Sequence, residues 1–298
     1  MNVKVFLLIL ISLSGLIFSL YFFRDAYRRR KHFSKASWLP LIGIGFVTNF
    51  FDALGIGSFA PTTSFFKFTK LVDDRIIPGT LNVGHCLPTV TQGLILITIV
   101  QVAPLTIISM MFSATLGAVI GAGIVCRLPV NKIRIGLAGA LLLVAFAMLA
   151  GMLNILPIGG DALGLVGWKL VVAIAASFIL GSLMTIGIGN YAPTLALVCA
   201  LGMNPRAAFP IMMGSAALLM CWASMKFVKE ASYDPKASIG LTSLGVVGVL
   251  IAAFIVKSLP LTVLKWVVVS VILYASFMMF RSVKKKGADA TLYETPKS

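Results

Sequence analysis

An eight-residue block, Gly55-Ile-Gly-Ser-Phe-Ala-Pro-Thr62, recurs as Gly187-Ile-Gly-Asn-Tyr-Ala-Pro-Thr194. The copies differ only at Ser58/Asn190 and Phe59/Tyr191, and both interrupt apolar runs. Glycine lifts the Cβ restraint, and proline removes an amide donor and clashes with the preceding turn. Each block therefore breaks a helix. Irregular backbone inside a bilayer survives only where protein or a wet cavity surrounds it. A pair of such breaks in corresponding places points to the binding site of a transporter.

The runs around the blocks set the class. The chain is 59% hydrophobic and 11% charged, and apolar stretches long enough to span a bilayer recur from end to end. These features predict an all-α polytopic membrane protein. A net charge of +16 suggests nucleic acid at first sight, but the basic residues fall in short clusters between apolar runs. That is the pattern of positive-inside orientation, with attraction to anionic headgroups as a by-product. The cysteines Cys86, Cys126, Cys199 and Cys221 lack metal-ligand or redox-pair spacing and read as small buried hydrophobes.

Residues 1–37 read as an N-terminal anchor helix over 3–23 and a basic cytoplasmic loop, with the N-terminus outside. The charge follows the apolar run and Tyr21-Phe-Phe23 is no cleavage site, so this is not a secretory signal. A first repeat then occupies 38–154. It holds a helix to about Leu54, the break, a short helix restarting at Pro61, and helices near 78–100, 105–126 and 135–154. Residues 155–167 form an extracytoplasmic linker. The second repeat, 168–281, has a broken segment over 168–201 and helices near 206–226, 238–257 and 261–280, with Asn204-Pro205 as a cap and start. A polar cytoplasmic tail covers 282–298, and its stretch from Gly287 to Ser298 is expected to be disordered. The offset is 132 for Gly55/Gly187 and Pro78/Pro210, and 131 for Leu128/Leu259 (187 − 55, 210 − 78, 259 − 128).

Lysine and arginine sort to one side only if each broken segment enters and leaves by the same face. Three crossings then follow in each repeat, and an odd number inverts the second. The expected architecture is two inverted-topology repeats, each with a re-entrant or broken helix hairpin plus three transmembrane helices, preceded by the anchor.

The half-helices restarting at Pro61 and Pro193 would aim their N-termini at the midplane. A helix N-terminus offers unpaired amides and about half a positive charge, which suits an anion without a lysine. Gly55, Gly57, Gly187 and Gly189 let backbone approach a ligand. Ser58, Thr62, Thr63, Asn190, Tyr191 and Thr194 add polar groups. The competing explanation, glycine for tight helix packing, fits a single Gly-x-Gly better than a duplicated block. Asn82, His85, Thr89 and Gln92 share one helix face and would line the same cavity. Their counterparts Gly214, Ala217, Cys221 and Ser224 are less polar. Asp52 lies in a membrane segment at a cost of roughly 3 kcal/mol or more, so it must be protonated, paired or facing water. Asp52 and His85 are candidate carriers of a coupling proton, with a structural hydrogen bond weighed equally.

The broken segment followed by proline, the Gly121-Ala-Gly-Ile-Val-Cys-Arg-Leu-Pro-Val-Asn-Lys-Ile-Arg134 turn and the Leu259-Pro260 turn resemble the TauE/SafE sulfite exporter family, the toluene-sulfonate uptake permeases. The resemblance covers 40–280. It implies transport of sulfite, sulfonates, sulfoacetate or related small anions across a bacterial inner membrane. The expectation is a secondary transporter working by alternating access, with the bilayer and the anion as partners, no nucleic acid, no cofactor and no metal. Homo-oligomerisation stays open. An anion channel is the alternative. A membrane-embedded enzyme using Asp52 and His85 is a weaker one, because no nucleophile motif or histidine cluster accompanies them.

Overall fold

The computed structural model describes residues 3–54, 57–73, 76–99, 101–125, 160–184 and 191–258, with isolated positions between 142 and 153 and between 266 and 281. The expected helices over 135–154 and 261–280 and the tail over 282–298 lie outside the described residues, apart from those isolated positions.

The described chain is almost wholly helical. The helices are α1 (Val3–Arg28), α2 (Trp38–Ala53), α3 (Phe59–Thr69), α4 (Ile77–Ile99), α5 (Pro104–Val125), α6 (Gly167–Met184), α7 (Tyr191–Ala200), α8 (Pro205–Lys229) and α9 (Pro235–Ser258). Among the described residues four segments, within α1, α6, α8 and α9, are long and apolar enough to cross a membrane. Large apolar side chains such as Leu20, Leu116, Val171, Ile179 and Phe254 stand exposed on the outside. Such a surface suits lipid, whereas a soluble protein avoids broad apolar patches. The protein is therefore an all-α membrane protein.

Local chemistry accounts for the helix ends. Asn204 caps α8, its Oδ1 accepting from the Arg206 amide at 2.9 Å, with Pro205 as first residue. The half-helix α3 begins at Phe59, so Pro61 is its third residue rather than its first, and Pro193 lies inside the described α7. The correction has a simple cause. The first turn of a helix has no intrahelical acceptor for its amides, so a proline anywhere within it forfeits nothing. α1 also runs past the expected Phe23 to Arg28, and the Asp25–Arg29 ion pair (3.0 Å) joins its last turn to the residue beyond.

One end of the molecule gathers the starts of α2, α4 and α9 with the finishes of α1 and α8. Lys236 donates to the Ser34 carbonyl (3.1 Å) and lies over the Trp38 ring. The Asp234 amide donates to Thr80 Oγ1 (2.9 Å). Tyr233 donates to Asp25 (2.6 Å), and Arg29 reaches the Val228 carbonyl. The other end gathers the starts of α1, α5, α6 and α8 with the finish of α4. There the Ala103 amide donates to Leu163 (2.7 Å), the Leu165 amide to Thr106 Oγ1 (2.9 Å), and the Asn204 amide to Ala162 (2.9 Å). Lys4 donates to the Thr98 carbonyl. So α2, α4 and α9 run one way, and α5, α6 and α8 the other.

Packing follows a paired scheme. α2 lies on α9 and α5 on α6; α4 packs on α8, with α9 also against α4 and α5 also against α8. Close approach depends on glycine. A Cβ at Gly248 would sit 2.6 Å from the Phe46 carbonyl oxygen, and one at Gly117 would strike that of Phe178. These contacts correspond under the sequence offset, since 178 − 46 is 132 and 248 − 117 is 131. α1 packs against both α4 and α8.

Candidate functional site

Where α2 stops, Leu54 is its C-cap and Gly57 takes a left-handed φ of +87°. Glycine meets that demand without a Cβ penalty. Ser58 follows as the N-cap of α3, yet its side chain makes no capping bond. Its Oγ is buried and has no hydrogen-bond partner among the described residues, with the residue 1% exposed. Buried hydroxyls are normally partnered. The first intrahelical bond of α3 runs from the Thr62 amide to the Ser58 carbonyl (3.0 Å), leaving the amides before it without helical acceptors.

Thr62 opens a chain of side-chain hydrogen bonds into the bundle. Its Oγ1 lies 3.0 Å from His85 Nε2, and His85 Nδ1 lies 2.9 Å from Asn49 Oδ1. The Asn49 amide nitrogen donates to the Gly45 carbonyl (2.7 Å) and toward that of Leu241 (3.5 Å). Asn49, Thr62 and His85 are fully buried. A second arm joins the same helices, as Gln92 Nε2 donates to Asp52 Oδ2 at 3.0 Å. Both arms link α2 to α4.

Two features of α4 and α9 make room for this chain. Pro88 sits inside α4 and has no amide, which releases the Gly84 carbonyl. Thr242 Oγ1 on α9 donates to that carbonyl at 2.8 Å. Next to it, a Cβ at Gly245 would lie 2.5 Å from Asn49 Nδ2 and 3.0 Å from Pro88 Cγ. Glycine at 245 thus leaves the space that the Asn49 amide fills.

The expected polar face of α4 is present: Asn82, His85, Thr89 and Gln92 are all buried. Thr63 is half-buried. Asp52 and His85 occupy separate arms, one tied to Gln92, the other to Asn49 and Thr62. In the second half Thr194 is buried in α7, as Thr62 is in α3. Gly214, Ala217, Cys221 and Ser224 are buried along α8, where Cys221 faces Cys86 at 3.7 Å. Gly55, Gly187, Gly189 and Asn190 lie outside the described residues, as does the Tyr191 side chain. Sequence reasoning missed Asn49, Thr242 and Gly245 as contributors. The available signal was Asn49 three residues before Asp52 in a membrane helix.

No family model, no curated protein and no solved structure matches this chain.

Proposed function

We propose that the protein is a secondary transporter for a small anion, held at the N-terminus of α3 near the membrane midplane. The observation that carries this reading is the Ser58 hydroxyl, buried without a partner among the described residues at the N-cap of a half-helix. Uncompensated amides, a free hydroxyl and a helix dipole together favour a small negative ligand. The resemblance to the TauE/SafE family supplies the substrate class: sulfite, a sulfonate, sulfoacetate or a related sulfur-containing anion.

The reading includes two inverted-topology repeats, α2–α5 and α6–α9, each with its following segment. Its support is the sorting of helix ends. α2 and α4 start at one end, so the chain through α2 and α3 leaves and returns there. α6 and α8 start at the other, so α6 and α7 do the same. Each helix of the first half then runs against its counterpart in the second. Arg24, Arg28, Arg29, Arg30, Lys31, Lys35, Lys70, Lys226, Lys229 and Lys236 belong to the first end, against Lys4, Lys169, Arg206 and Lys257, in the last turn of α9, at the second. Positive-inside bias makes the first end cytoplasmic in a bacterial inner membrane and the N-terminus extracytoplasmic.

The test is a thermal-shift panel of sulfite, sulfate, thiosulfate, sulfonates and carboxylates on purified protein, then flux in liposomes with the best ligand. Saturable flux with counterflow is expected of a carrier. Large unitary currents would make it a channel, and no shift with any anion would remove the site.

A further inference from the structure

We infer that Asn49, His85 and Thr62 form a relay that couples the uptake of one proton to the seating of one anion at the tip of α3. The inference rests on the anion site proposed above and adds its coupling chemistry.

Asn49 sets the direction. Its Nδ2 faces two backbone carbonyls, so its Oδ1 is turned to His85 and can only accept. The imidazole hydrogen therefore resides on Nδ1, and Nε2 is the one basic atom of the neutral ring. Nε2 faces Thr62 Oγ1, whose hydroxyl donates to it. When a proton arrives, Nε2 becomes a donor and the Thr62 oxygen an acceptor. The Thr62 hydrogen stays on its oxygen and must turn to another acceptor. Ser58 is the N-cap of α3 and Thr62 lies one turn on, its amide bonded to the Ser58 carbonyl, so the two sit on one side of the helix tip. Thr62 thus gains a free donor beside the unpartnered Ser58 hydroxyl. One N–H bond forms, no other covalent bond changes, and one positive charge enters with one anion.

Energetics favour the pairing. An imidazolium or an anion alone in a low-dielectric interior is costly, and each offsets the cost of the other. Only one tip is wired this way, because the positions matching Asn49 and His85 in the second half are Gly181 and Ala217. Other titratable groups on the surrounding elements are few. α2 brings Asp52, tied to Gln92. Cys86 of α4 and Cys221 of α8 face each other, and α8 has no other titratable group between Arg206 and Lys226. α9 has none between Lys236 and Lys257, and α1 none between Lys4 and Tyr21. α3 carries Lys67 in its later turns, and α7 carries Tyr191 and Cys199.

The experiment is calorimetric titration of the full chain in detergent with thiosulfate and with methanesulfonate, anions that carry no proton between about pH 5 and pH 8. Repeating it in buffers of different ionisation enthalpy counts protons. Wild type is expected to take up one proton per anion, with affinity falling about tenfold per pH unit above the titration of the ring. His85→Gln should bind without proton uptake, and Asp52→Asn should keep it. Asn49→Asp places a carboxylate on Nδ1, favours the charged ring, and should carry tight binding to higher pH. A merely structural asparagine predicts no such shift, and this variant decides the matter if His85→Gln fails to fold. Anion binding without proton uptake in wild type, or uptake retained in His85→Gln, overturns the relay and leaves the anion site standing. Failure of every anion in the panel to bind overturns both.

Discussion

Ser58 is the residue on which the anion site is most exposed to disproof. Replacing its hydroxyl by hydrogen leaves α3 without a polar tip but takes no capping bond away, since Ser58 makes none. A hydrogen bond to a charged ligand contributes about 1.5–3 kcal/mol, so Ser58→Ala should weaken anion binding roughly tenfold or more at unchanged melting temperature. Thr62→Val should weaken binding as well, but it leaves His85 Nε2 buried without its partner and should therefore also lower the melting temperature. Titration of both variants against wild type checks this. Gly57 is a poorer probe. Its φ of +87° strains any side chain even though a Cβ there would meet nothing within 4 Å. Much of this site was legible in the sequence, because breaking glycines, a proline and polar residues at helical spacing are local signals. The role of Asn49 was not. It depends on a space left by Gly245 almost two hundred residues away, and spacing carries no information about such a partner.

At the scale of elements, glycine decides which helices touch. The offset between repeats was readable, but not that α2 would lie on α9 and α5 on α6, in opposite halves. Gly117→Ala would drive a methyl into the Phe178 backbone and part α5 from α6. Over-packing of this kind costs about 1–3 kcal/mol. Gly43→Ala, with nothing within 4 Å of its Cβ, should instead gain up to about 1 kcal/mol from helix propensity. Thermal melts in one detergent compare the two. The fixing of α1 is likewise an element-scale matter. Burial and the neighbouring Asp25 carboxylate push the Tyr233 phenol well above the ordinary tyrosine range. A raised pKa keeps the donor protonated, so the clamp is at full strength below about pH 10 and weakens only as pH rises beyond the ordinary range. Tyr233→Phe should lower stability by about 1–2 kcal/mol at pH 7, with no change in pH dependence below pH 9.

For the whole molecule, the polarity of the helices and the distribution of charge point the same way. The end that gathers Tyr233, Lys236 and the finish of α1 carries the basic clusters. The end built on residues 160–167 has Asp161 as the one charge in that linker. In the proposed inverted arrangement the α2–α3 segment leaves and returns at one end, which agrees with Lys236 reaching Ser34 and Asp234 reaching Thr80 there. Thiol labelling tests the arrangement in the membrane. Cys86, Cys199 and Cys221 are buried, so a Cys126→Ser background should label weakly. Asp161→Cys and Lys229→Cys replace exposed residues at opposite ends. A membrane-impermeant maleimide added to intact cells should modify position 161 and spare 229 until the membrane is opened. Labelling of both from the same side would place the two ends together, and the inverted arrangement would be lost with the paired helix tips that depend on it.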